Sequence, residues 1–135
     1  MPAEDEAPSW AGGVALINLF VADLDAARAF YRRVFGRPVE FEDDRSTAFR
    51  FGEVLVNLLD ESAAPGVIAP AVVAAPGGGS RFALAMTVPD VDAACAELRT
   101  RGVELLNGPV DHPWGMRTAA FADPDGNVWE IASPV

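Results

Sequence analysis

The chain predicts an α+β fold made of two tandem βαβββ modules, on three observations. The first is an internal repeat. Val21-Ala22-Asp23-Leu24-Asp25-Ala26-Ala27-Arg28-Ala29 returns 67 residues later as Val88-Pro89-Asp90-Val91-Asp92-Ala93-Ala94-Cys95-Ala96, with seven of nine positions identical or exchanging Leu for Val. The second is that each copy reads as an apolar strand feeding a capped helix. The third is that three short extended segments, separated by turn residues, follow each helix.

Ala15 to Val21 is nearly all apolar, as suits a strand covered on one face and lining a cavity on the other. Asp23 is placed to cap the following helix by accepting backbone N–H bonds that its first turn leaves free. Leu24, Ala27, Tyr31, Val34 and Phe35 lie three or four apart and form one apolar stripe, which Gly36 and Pro38 end. In the second copy Phe82 to Val88 is the strand and Asp90 the cap. Val91, Ala94, Cys95 and Leu98 form the stripe, and Gly102 stops it. The extended segments are Val39–Glu42, Thr47–Phe51 and Val54–Leu59 in the first half, and Val103–Leu106, Arg117–Ala122 and Asn127–Ala132 in the second. Asp123-Pro124-Asp125-Gly126 reads as a tight hairpin turn between the last two.

The predicted organisation is a flexible acidic arm over 1–12 and one domain over 13–135. Within that domain, module one covers 13–60, an Ala/Pro/Gly-rich linker 61–80 and module two 81–133. A chain of 135 residues is too short for two independent cores. The run Gly77-Gly78-Gly79 is no phosphate loop, because neither a Lys-Ser/Thr pair nor a helical pattern follows it.

Twenty acidic residues face ten basic ones, all of them Arg, for a formal charge of −10. Phosphate backbones repel such a chain, so nucleic acid is not an expected partner. The same field attracts cationic ligands, and it also serves plain solubility. The lone Cys95 excludes an internal disulfide and any multi-cysteine metal site, and its place on the helical stripe points to packing rather than redox chemistry. No apolar run is long enough to span a bilayer. The acidic, proline-bearing start lacks the basic and apolar regions of a secretory signal, so a cytoplasmic location is expected.

Strand alternation puts Leu16, Asn18 and Phe20 on one face with Leu55, Asn57 and Leu59. Ala83, Ala85 and Thr87, with Val128 and Glu130, complete a trough by the same parity. An apolar surface with a few convergent polar groups suits a small-molecule site, and small Ala83 and Ala85 leave room for a bulky ligand. The competing reading makes this face core or a dimer contact. Glu130 is the principal candidate: it pairs with a ligand cation, acts as a general base, or forms a salt bridge to Arg117 across the hairpin. His112 and Trp114 share a loop with Pro113 and Gly115, where Trp114 either stacks on a planar ligand or anchors the loop. Trp129 points opposite to Glu130, toward a helix. Phe49 and Phe51 share a face that is either core or pocket wall. Asp23 and Asp90 are helix caps, and no Ser-His-Asp or Cys-His arrangement is evident.

Taken together, these words resemble the glyoxalase/bleomycin-resistance/extradiol-dioxygenase superfamily, also called vicinal oxygen chelate proteins. Val21-Ala-Asp-Leu-Asp with Ala29-Phe30-Tyr31, Gly108-Pro109, Pro113-Trp114-Gly115-Met116-Arg117, and Phe121-Ala-Asp-Pro-Asp-Gly-Asn with Trp129-Glu130-Ile131 carry the likeness. It spans about Gly13 to Ser133. The resemblance implies paired modules curving as a mixed sheet around a ligand trough. In metal-using members it also implies one divalent ion held by His, Glu, His and Glu. Carried over, those positions are Leu16, Asn57, Ala83 and Glu130. Leu16 and Ala83 offer no donor and Asn57 only a neutral oxygen, so no metal or other cofactor is expected. A rebuilt site from Glu130, His112 and Glu53 is the metal-using alternative.

The resemblance points closest to metal-free bleomycin-resistance-like proteins, which are acidic dimers that sequester a cationic drug. The expected function is therefore metal-independent binding of an antibiotic or other natural product, cationic or aromatic, by a homodimer. The expected ligand contacts are Leu16, Asn18, Phe20, Phe51, Asn57, Leu59, Ala83, Ala85, His112, Trp114, Arg117 and Glu130. Two rivals stand beside it. One is a glyoxalase-like lyase, isomerase or dioxygenase with an atypical metal site or with Glu130 as base. The other is a domain that only assembles or regulates a partner.

Overall fold

The computed structural model describes residues 8–135; the expected acidic arm before residue 8 lies outside the described residues. The chain runs β1 (Leu16–Val21), α1 (Leu24–Val34), β2 (Val39–Glu42), β3 (Ser46–Phe51) and β4 (Val54–Asp60). A 3-10 turn (Glu61–Ala63) and the short helix α2 (Pro65–Ile68) follow. The second half runs β5 (Ala83–Thr87), α3 (Val91–Thr100), β6 (Leu105–Asp111), β7 (Met116–Ala122) and β8 (Val128–Pro134). The strands form two four-stranded mixed sheets, ordered β1-β4-β3-β2 and β5-β8-β7-β6. β1 is parallel to β4 and β5 to β8, and the other pairs are antiparallel. The sequence repeat is thus a topological repeat. Each module contributes one mixed sheet, as the paired-module reading expects.

Both caps form. Asp23 Oδ1 accepts the Ala26 N–H and Asp90 Oδ1 the Ala93 N–H, each at 3.1 Å. The apolar stripe of α1 is buried through Leu24, Ala27, Phe30, Tyr31 and Val34, and that of α3 through Val91, Cys95 and Leu98. These helix faces do not make two cores. They form one cluster with Leu19, Val56 and Leu58 from the first sheet and Phe121, Trp129 and Ile131 from the second.

A polar chain crosses that cluster. The Trp129 indole N–H donates to the Tyr31 hydroxyl at 3.0 Å, which donates to Asp123 Oδ2 at 2.7 Å. Asp123 also accepts from the backbone N–H groups of Asp125 and Asn127, both at 2.9 Å, so the β7–β8 hairpin is organised around its carboxylate. Burial and the adjacent Asp123 charge push the Tyr31 phenol far above its ordinary value, so it stays a donor. Phe35 and Phe51 pack on Trp129, with ring centroids 4.7 and 5.3 Å away. At the helix ends Arg33 Nε donates to the Arg101 carbonyl and Arg101 Nη1 to the Arg33 carbonyl, at 3.1 and 3.0 Å.

Two expectations about the chain path need correction. The segment expected at Val103–Leu106 is a longer strand, Leu105–Asp111, while Val103 is buried behind the Gly102 turn that ends α3. The strand continues through Gly108, which takes φ +83° in a bulge; a Cβ there would lie 2.5 Å from the Thr118 carbonyl oxygen, so only glycine passes. The linker is also not featureless, because Asp60 caps the 3-10 turn by accepting the Ser62 N–H at 2.9 Å and α2 follows. No helix among the described residues is long and apolar enough to cross a membrane.

Replacing Tyr31 with Phe removes the acceptor of a buried indole N–H and a donor to a buried carboxylate. It should lower stability by about 1–3 kcal/mol in a denaturant titration; an unchanged midpoint would show that the chain of bonds does not hold the modules. Cys95 is 1% exposed and burial pushes its thiol up. A disulfide reagent should therefore modify it at the rate of unfolding, and immediate labelling of native protein would contradict the packing.

Candidate ligand-binding faces

The shared core occupies one side of each sheet, and the candidate residues other than Arg117 and Phe51 lie on the other. On the first sheet, pairing sets Leu16 beside Leu55, Asn18 beside Asn57 and Phe20 beside Leu59. On the second, Ala83 lies beside Val128, Ala85 beside Glu130 and Thr87 beside Ala132. Ile17, Leu19 and Val21 point the opposite way into the core, as do Leu84, Met86, Trp129 and Ile131. Parity therefore groups Leu16, Asn18, Phe20, Asn57 and Leu59 on one face and Ala83, Ala85 and Glu130 on another. Since the core lies behind both, neither face is closed over by the other module: Leu16, Ala83, Ala85 and Thr87 are exposed.

The first face holds a polar pair in an apolar setting. Asn57 Nδ2 donates to Asn18 Oδ1 at 2.9 Å, while the buried Asn57 Oδ1 has no partner among the described residues. An amide end that is buried and unmatched favours a ligand or partner able to bond it. On the second face the Glu130 side chain forms no hydrogen bond or ion pair among the described residues. It is flanked by Ala85 on β5 and Ala120 on β7, small residues that leave space above it.

His112 and Trp114 join this second face. His112 Nε2 lies 2.7 Å from Thr118 Oγ1, and the Trp114 ring stacks on the imidazole at 4.2 Å and 12° while remaining 70% exposed. Trp114 is therefore not a packed anchor. Thr118 shares the parity of Ala120 and was missed in the sequence; carrying the alternation of β8 across to β7 would have found it. Phe41, half-exposed on β2 and paired with Ala48, is a further missed residue of the first face.

Two expected contacts are misplaced. Arg117 has the parity of Ala119 and Phe121, so it lies on the helix-bearing side. It bonds Asp92 Oδ1 of α3 at 2.9 Å and Asp111 at 3.0 Å, not Glu130. Phe51 is core rather than wall: with Phe49 it points toward α1, and it packs on Phe35 and Trp129. In both cases strand parity puts the side chain on the helix-bearing face.

The four positions where related metalloproteins hold an ion do not fit one here. Leu16 and Ala83 carry no donor atom, which leaves only the neutral amide oxygen of Asn57 and the Glu130 carboxylate. Among the described residues no three His, Cys, Asp or Glu side chains converge to hold a metal. The alternative set of Glu130, His112 and Glu53 likewise forms no such group.

Comparison with known proteins places these features. Residues 13–131 match the model of the Glyoxalase/Bleomycin resistance protein/Dioxygenase superfamily. The Bacillus subtilis (strain 168) protein YraH is 33% identical over 119 residues, 85% of this chain and 93% of its own. A glyoxalase/bleomycin resistance protein/dioxygenase from Nocardioides superposes with a TM-score of 0.83 at 24% identity, covering 95% of this chain and 87% of that one. TnmS3, an antibiotic binding protein from Streptomyces sp. CB03234, superposes with a TM-score of 0.73 at 29% identity over 95% of this chain and all of its own. With two βαβββ modules matched along nearly its whole length, the chain belongs to the glyoxalase/bleomycin resistance protein/dioxygenase superfamily.

Proposed function

We propose that the protein is a cytoplasmic, metal-independent binder of a small natural product, an antibiotic among the candidates, and acts by sequestration. The observation that carries this reading is an apolar face with an unpaired carboxylate. Glu130 stands free among Ala83, Ala85, Ala120 and Val128, where a cationic group gains a counter-ion and an apolar body gains contact area. Leu16, Asn18, Phe20, Asn57 and Leu59 supply the facing wall, and exposed Trp114 offers a stacking surface at the rim. The antibiotic-binding function of TnmS3, similar over its full length, supports the reading.

The second wall comes from a second copy. Each face is backed by the core and open in front, so a homodimer that sets the Asn57 face of one chain against the Glu130 face of the other builds a two-walled trough. Burying these open apolar faces drives the association. Free Glu130 also supports a second reading, a metal-free isomerase with this carboxylate as general base.

Light scattering should give about twice the 14.3 kDa chain mass, and Ala85→Arg should yield monomer. A monomeric native protein would remove the two-walled trough. Calorimetric titration with cationic and aromatic natural products, in chelator, should reveal a ligand that Ala85→Trp weakens at least tenfold and that mass spectrometry recovers unchanged. Binding that requires added metal would overturn the reading. Turnover abolished by Glu130→Gln would establish the isomerase instead.

A further inference from the structure

A different cleft lies on the outer side of β1. Its walls are β1, the linker stretch 73–82 and the β7–β8 hairpin at 124–127, and it encloses about 730 Å³, within the range of small-molecule sites. Neither Asn57 nor Glu130 lines it. Its apolar surface comes from Phe20, Val73, Pro76 and Phe82, and the Phe82 ring is 51% exposed.

The charged groups of the cleft are mostly of one sign. Glu61 and Asp125 line it, and Asp23 and Asp123 act on it from behind, against the single guanidinium of Arg81. Asp125 uses Oδ1 to accept the Ala22 N–H at 2.8 Å, and its other oxygen has no partner among the described residues. Burial, then the charges of Asp123, Glu61 and Asp23, push the Asp125 carboxyl above the usual range. A cation beside these carboxylates relieves their mutual repulsion, and the two rings give such a group an aromatic face.

We propose that this cleft is a second small-molecule site that takes an organic monocation with an apolar body, its ammonium group against Asp125 and Glu61 and its body against Phe20 and Phe82. The site does not depend on what the sheet faces bind. Asn18 and Phe20 are its only residues shared with the candidate trough.

The test is a titration of the 15N-labelled full chain with phenethylamine, charged at neutral pH, and with phenethyl alcohol, its neutral counterpart. The amine should shift the amides of Ala22, the 77–79 glycines and Asp125 saturably, with a Kd at least tenfold below that of the alcohol. Asp125→Asn keeps an oxygen for the Ala22 N–H, and Glu61→Gln changes a carboxylate that forms no hydrogen bond or ion pair among the described residues, so both should fold. Each should weaken the amine severalfold and leave the alcohol unchanged. Ala85→Trp, which blocks the other site, should leave the amine unaffected. Equal affinity for amine and alcohol, no saturable shift, shifts confined to the strands around Asn57 and Glu130, or folded carboxylate variants that bind the amine normally would each overturn the proposal.

Discussion

The Tyr31 hydroxyl is the point on which the arrangement of the two modules depends. It belongs to the helix of module one, yet both its partners, Trp129 and Asp123, belong to module two. A buried phenol must satisfy its hydrogen-bonding groups, so the helix cannot slide or rotate against β8 without orphaning an indole N–H and a carboxylate together. Asp123 extends the constraint into the hairpin, and Asp125, two residues on, ties the hairpin back to Ala22 at the end of β1. One bonded chain thus fixes the helix, the hairpin and the strand end. Phe35, Phe51 and Trp129 fill the space around it.

Commitment of the helix-bearing sides to one another decides what remains for function. Each sheet has two faces, and the shared core uses one of each. The surfaces left over carry small and apolar residues with few polar groups, and covering such surface from water is favourable. On those surfaces Asn57 bonds Asn18 and His112 bonds Thr118, while two groups stay unmatched among the described residues. Asn57 keeps one amide end unmatched and Glu130 forms no pair, whereas the arginines of the helix-bearing side are bonded to carboxylates or carbonyls, as with Arg28, Arg32 and Arg117.

Much of this was legible because it is local. The caps Asp23 and Asp90, the apolar stripes of α1 and α3 and the alternation of β1, β4, β5 and β8 are each written within a few consecutive residues, and the structure places them as read. What failed was not local. The path of β6 depends on Gly108 passing Thr118 across the strand pair, a close approach that no neighbour in sequence announces. The sides taken by Arg117 and Phe51 follow from pairing with strands some distance away in sequence. The linker wall against β1 was invisible for the same reason, since its composition speaks only of turns.

β1 separates the open sheet face from the outer cleft. Its Ile17, Leu19 and Val21 enter the core, Asn18 and Phe20 face outward, and its outer edge is unpaired because it ends the sheet. An unpaired edge invites another strand. The linker passes along that side instead and leaves a cleft rather than a ladder, so the edge is shielded without being closed. Phe20 thereby borders both the open face and the cleft, and the position of its ring is felt in each. With the rest of the strand held by the core behind it, the two surfaces share Asn18 and Phe20 and are otherwise lined by different residues.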